Sequence, residues 1–89
     1  MDPYELLEKV NSKETFLAFI EALKNDKLDE DEKEKLEPSN PYSDGKNGWV
    51  NGSISQFLDS IHAYGSENDD LRLEWKSIAE LFYSGKFYE

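Results

Sequence analysis

Apolar residues fall at helical spacing in four places along the chain. Leu6, Leu7 and Val10 make the first and narrowest stripe. They follow Asp2, a capping residue, and Pro3, which suits the first helical position. A short helix over about 3–10 is predicted. Phe16, Phe19, Ile20 and Leu23 recur at i, i+3, i+4 and i+7, one face of a second helix over about 12–27. Asn11 or Ser12 is its expected cap, and Asn11 with Glu14 has capping-box spacing. Ser53-Ile54-Ser55-Gln56 is the clearest start signal. The Ser53 hydroxyl accepts near Gln56 while the Gln56 side chain reaches back. Ile54, Phe57, Leu58 and Ile61 form the face that follows, with Tyr64 at its far end and Gly65 as a natural stop. That predicts a third helix over about 54–64. Leu71, Trp75, Ile78, Ala79 and Phe82 share the face of a fourth, with Asn68, Asp69 or Asp70 as cap and Gly85 as terminator. The tail, Lys86 to Glu89, is expected to fold back and bury Phe87.

Two stretches lack such stripes. Residues 29–37 are almost entirely charged, with Leu36 the one apolar member. They either extend the second helix or make a separate exposed turn, and Pro38 stops either. From Pro38 to Gly52 the chain holds two prolines, three glycines and several Asn and Asp, the residues of turns. So long a loop in so small a domain points to function or mobility. Tyr42, Trp49 and Val50 are its apolar members, suited to pin it to the core. No window alternates at period two for the length of a strand, and a short strand at Trp49-Val50 is the one exception left open. The fold class is therefore all-α. A single domain over 1–89 is expected, a compact bundle of about four helices with a long Pro/Gly/Asn-rich loop between helices two and three.

Composition sharpens this picture. Aromatics are 13% of 89 residues, including two Trp, five Phe and five Tyr, which argues against disorder. Such rings build a core from few side chains. There is no cysteine, so neither a disulfide nor a thiolate metal site is available, and a reducing cytosol is the expected compartment. Asp2, Pro3 and Tyr4 follow Met1 where a signal peptide would place basic and then apolar residues. No apolar run approaches the roughly 20 residues that span a bilayer.

The net charge of −10, from 20 acidic against 10 basic residues, disfavours direct nucleic-acid binding and anionic membranes. It favours a partner with a basic surface, alongside a plain role in solubility.

Catalytic and metal motifs are weak. His62, the single histidine, lies beside Ile61 just off an apolar face, where a structural hydrogen bond or simple exposure is commoner than acid–base work. Asp29, Glu30, Asp31 and Glu32 read first as a solvated face, since oxygen-ligand sites need ligands at geometric spacings. A calcium loop over 40–51 fails. Tyr42 stands where a short oxygen ligand belongs, and Asn51 where a bidentate Glu is needed. Gly45, Gly48 and Gly52 lack both the preceding strand and the Lys–Ser/Thr ending of a phosphate loop. No cofactor and no metal are expected. Trp75 fits a core stripe. Trp49, in a polar loop, is expected to anchor that loop, with an exposed contact role as the alternative. Tyr4, Tyr42, Tyr83 and Tyr88 are similarly amphipathic.

Trp49-Val50-Asn51-Gly52-Ser53-Ile54, Phe57-Leu58-Asp59 with Ala63-Tyr64, and the closing box from Trp75 to Leu81 with Gly85 to Glu89 carry a resemblance. Residues 49–89 resemble a small uncharacterised bacterial family, a domain of unknown function found in short acidic proteins. The resemblance implies a fold and brings no activity, ligand or catalytic residue with it.

These features together favour a non-enzymatic protein-binding module that presents an acidic, aromatic-studded face to a basic partner. One concrete version is an immunity protein or antitoxin against a basic toxin. Its candidate contact residues are Asp29, Glu30, Asp31 and Glu32 in the acid run, with Tyr42 and Trp49 in the loop. The alternative is a small ligand-binding or enzymatic domain using the 38–52 loop and His62. Mimicry of DNA ranks lower, because Lys9, Lys13, Lys24, Lys27, Lys33 and Lys35 break any continuous acidic stripe.

Overall fold

The computed structural model describes residues 2–39 and 45–88. They form four helices: α1 (Pro3–Leu7), α2 (Lys13–Leu36), α3 (Ile54–Glu67) and α4 (Trp75–Ser84). No strand forms among the described residues. At Trp49-Val50 the chain makes no ladder; Val50 and Asn51 both donate their amides to the Lys86 carbonyl, at 3.0 and 3.2 Å.

Local chemistry explains most helix starts. The Asp2 carboxylate accepts from the Tyr4 amide at 2.8 Å and Pro3 opens α1. That helix stops at Leu7, short of the expected Val10, as Lys9 and Val10 tighten into i→i+3 bonds. Val10 is buried all the same. Ser12 caps α2, with Thr15 in place of the expected Asn11–Glu14 box. Thr15 Oγ1 accepts from the Ser12 amide at 2.9 Å, and Ser12 Oγ accepts from the Thr15 amide at 3.2 Å. A short hydroxyl at the third helical position thus does the work of a longer side chain. Ser53 and Gln56 form the expected box on α3.

Other boundaries differ from the sequence reading. The charged run 29–36 continues α2, held by the one-turn ion pairs Lys27–Asp31 and Lys33–Asp29, the latter at 2.8 Å. Pro38 then limits it as expected. The helix α3 passes through Gly65 to Glu67. A Cβ on Gly65 would lie 3.2 Å from Leu81 Cδ2, so glycine serves close approach of α3 to α4 rather than termination. Asn68 ends α3 by donating to the Tyr64 carbonyl at 2.8 Å and caps nothing in α4. That helix starts only at Trp75, preceded by Glu74 without a side-chain cap bond.

Phe19 is fully enclosed, among Leu7, Val10, Leu23, Trp49 and Ala79. Phe16, Phe57, Phe82 and Tyr83 pack against this centre. Trp75, expected in the core, sits at its edge, 39% exposed, with its ring 5.3 Å from that of Phe16. In the tail Phe87 stays 42% exposed, while Tyr88 docks edge-on against Tyr64 at 5.3 Å. Ser60 and Asn51 fix the Tyr88 carbonyl by donating to it.

Helix α4 is the hub, packing on α1, α2 and α3, whereas the backbones of α2 and α3 do not approach one another closely. No described helix is long and apolar enough to cross a membrane.

Candidate functional site

The loop before α3 is pinned to α2 by two carboxylates. Glu30 is 4% exposed, and its Oε1 accepts from the backbone amides of Asn47 at 2.9 Å and Trp49 at 3.2 Å. Gly45 lies so close that a Cβ there would overlap the Glu30 carboxylate. Four residues earlier on α2, Asp26 Oδ2 accepts from Trp49 Nε1 at 2.8 Å and from Lys86 Nζ at 2.7 Å. The Lys86 ammonium also stands 5.6 Å from the Trp49 ring centroid, a cation–π contact. Trp49 is therefore the loop anchor, 8% exposed, with its indole N–H and amide both satisfied.

This anchoring shapes a groove. A cleft of about 340 Å³ opens between α2 and α3, whose backbones stay apart. Ile20, Leu23 and Leu28 of α2 line it with Phe57 of α3, Phe82 of α4 and Trp49. Lys24 and Lys27 contribute their aliphatic stems at the rim. Leu28 is 55% exposed. Leu17 on α2 and Ile54 and Leu58 on α3 are also exposed. A hydrophobic stripe on each helix thus lacks a partner. Single exposed apolar residues are ordinary, whereas an apolar cleft lined by an exposed leucine and by aromatic rings is a candidate interaction surface.

The acid run does not behave as one face. Glu30 points inward and is consumed by the loop, so it is unavailable to a partner; the solvated-face expectation fails at this position because the loop supplies two amides to a buried carboxylate. Asp29 pairs with Lys33 and accepts from Asn47 Nδ2 at 3.1 Å. Hydrogen bonds from Lys33 and then Asn47 hold its carboxyl below the ordinary range. Asp31 pairs with Lys27, and Glu32 with Lys35 at 3.4 Å; both acids are exposed. Tyr42 lies outside the described residues. Glu34, which the sequence reading did not single out, is a third carboxylate of α2 that holds the loop. It accepts from the Ser39 amide at 2.7 Å, the Ser39 hydroxyl at 2.6 Å and the Lys46 amide at 3.1 Å. The Ser39 bonds above all lower its pKa.

His62 is exposed on α3, lines no part of the groove and has no hydrogen bond from a described loop residue to its ring. Among the described residues no three His, Asp or Glu side chains are placed to hold a metal. Groove and anchors together supply shape and apolar area, with no nucleophile or acid–base pair directed into the cleft.

No family model, curated protein or solved structure matches the chain, so the likeness over residues 49–89 gains no support there and the geometry alone carries the functional reading.

Proposed function

We propose that this chain is a non-enzymatic protein-binding module of the reducing cytosol, and that the groove between α2 and α3 receives an amphipathic helix with basic flanks. The observation that carries this is the groove itself, an apolar cleft between two helices that each leave a hydrophobic stripe unpaired. A helix laid in such a groove buries an i, i+3, i+4 stripe of its own. The occupant's charge follows from the surroundings. That charge is taken from the whole chain, which carries −10; at the rim itself stand Lys24 and Lys27, the latter paired with Asp31. That net negative field speeds encounter with a basic partner, while Leu28, Phe57 and Phe82 supply the apolar contact that sets residence time. Inhibition of a basic toxin, as an immunity protein or antitoxin, is the concrete form this role takes. The reading built on the 38–52 loop and His62 has no comparable support.

The test is affinity capture from the native host at low and high salt, with wild type and Leu28→Glu/Leu58→Glu in parallel. Both positions are more than half exposed, so the variant is expected to fold. One stoichiometric, salt-resistant partner that the variant loses, with a Kd measured on purified components, supports the proposal. A partner held equally by both proteins, or only salt-labile capture of many basic proteins, overturns it.

A further inference from the structure

A second cavity, of about 320 Å³, lies where α1, α3, α4 and the C-terminal turn meet. It shares no lining residue with the groove. Half of its lining residues are aromatic: Tyr4, Tyr64, Tyr83, Phe87 and Tyr88, with Glu80 among them. The rings come in contacting sets. Tyr4 lies 6.0 Å from Tyr83, Phe87 sits edge-on to Tyr83 at 5.4 Å, and Tyr88 sits edge-on to Tyr64 at 5.3 Å. These rings are half-buried or exposed, so the faces not used in packing remain open to a visitor.

Aromatic faces carry negative potential and attract cations. Two carboxylates add to it. Glu8 lies 3.7 Å from Lys76, which partly neutralises it. Glu80 has no ion-pair partner among the described residues. No lysine or arginine of the described chain sits over any of the five rings; the two cation–π contacts present both involve Trp49. The cavity is therefore an aromatic, anionic pocket whose own cation, Lys76, reaches only one of its two acids. The neighbouring carboxylates also raise the Tyr4 and Tyr64 phenols, with hydrogen bonding to Glu8 first for Tyr4 and burial first for Tyr64.

We infer that this pocket binds a guanidinium group, the side chain of an arginine presented by a polypeptide. Size and chemistry select it. About 320 Å³ is at the lower end of small-molecule pockets and suits a side-chain head with its stem. A planar guanidinium stacks on one ring while its N–H groups donate to a carboxylate, and so uses both features of the wall. A lysine ammonium donates but does not stack. That the arginine is borne by a polypeptide rests on the proposed protein-binding role; the chemistry of the pocket does not.

The test is an NMR titration of the full chain, following the tyrosine rings, with Gly-Arg-Gly capped at both ends. Capped Gly-Lys-Gly, the capped citrulline peptide and free arginine are the comparisons. The arginine peptide is expected to shift Tyr4, Tyr64, Tyr83 and Tyr88 at saturable concentrations and to bind more tightly than all three comparisons. Free arginine is weaker because its carboxylate meets Glu8 and Glu80. Glu80→Gln is expected to weaken binding about tenfold, the scale of one charge-assisted hydrogen bond. Tyr4→Leu, at an exposed position, is expected to weaken it a few-fold without unfolding the chain. Equal binding of the neutral citrulline peptide, or no saturable ring shifts with arginine, overturns the pocket. Equal binding of free arginine overturns only the polypeptide source. Loss of arginine binding with the groove partner retained, or the converse, separates the two proposals.

Discussion

Lys86 Nζ and Trp49 Nε1 donate to the same oxygen of Asp26, at 2.7 and 2.8 Å. One carboxylate on α2 thereby fastens both the loop before α3 and the turn after α4. The side chains of Asp26 and Lys86 are 18% and 12% exposed, so the pair is well sheltered without being sealed. Asp26→Ala leaves an indole N–H and an ammonium without their acceptor and is expected to destabilise the fold by about 1–3 kcal/mol. Urea unfolding measures this. In a double-mutant cycle with Lys86→Ala the two losses should fall short of additivity, because each removes the same pair.

The loop makes opposite demands at its glycines. Gly45→Ala would drive a methyl into the Glu30 carboxylate, and Gly48 has φ +85°, a left-handed conformation. Each substitution is expected to cost about 1–2 kcal/mol, the first by displacing Glu30 from its amides and the second by backbone strain. Gly52→Ala meets nothing within 4 Å and should stay within about 0.5 kcal/mol of wild type. Parallel thermal melts of the three variants check the order.

In the core, Phe19→Ala is expected to cost about 3–5 kcal/mol, since the ring is fully enclosed. Leu73→Ala, at a side chain 98% exposed, should be neutral by the same chemical-denaturation measurement.

Acid should loosen the loop before the bundle. Asp29 and Glu34 both titrate lower in the folded chain than in the unfolded one. The unfolded chain therefore takes up protons first as pH falls. Their stabilisation is full above the ordinary carboxylate range and is lost as pH drops through the lowered folded values. The amide resonances of Ser39 and Lys46 should move with that transition, and Glu34→Gln should remove the pH dependence from both. NMR spectra recorded through the acid range test this.

What the sequence made legible is what depends on near neighbours. The Ser53–Gln56 box, the Asp2-Pro3 start and the Phe16-Phe19-Leu23 stripe each involve residues within a turn or two, and each appears where expected. The all-α class follows from those stripes. The reach of α2 through 29–36 is not written in that run alone, because its support is partly distant: Glu30 finds its donors 17 and 19 residues further on. Gly85 ends α4 as expected, but that a Cβ there would overlap the Phe57 ring is not written locally, nor is the close approach of Leu81 to Gly65, which lies inside α3. No local pattern announces such a contact. Trp49 was recognisable as an anchor, but its partners Asp26 and Lys86 were not. The groove has no local signature at all, because it arises where the backbones of α2 and α3 stay apart. The tyrosine pocket was half visible: Tyr4, Tyr83 and Tyr88 stood out singly, and only the packing of α4 against α1 and α3 brings them to one cavity.

The position of α4 also sets an order of events during synthesis. Helices α1 and α2 can pair as soon as they are made, but the backbone of α3 comes close to α4 alone among the described helices. The loop's hold on α2 is completed by Lys86, and the inner end of α3 by Asn51 and Ser60 reaching the Gly85 and Tyr88 carbonyls. A chain still being translated therefore carries an open α2 face and an unsupported α3 until those residues leave the ribosome. Tethered to the ribosome by an added linker of full exit-tunnel length, a chain cut before Lys86 should be open to protease throughout residues 45–67, and the chain carried through Tyr88 should close the whole region in one step.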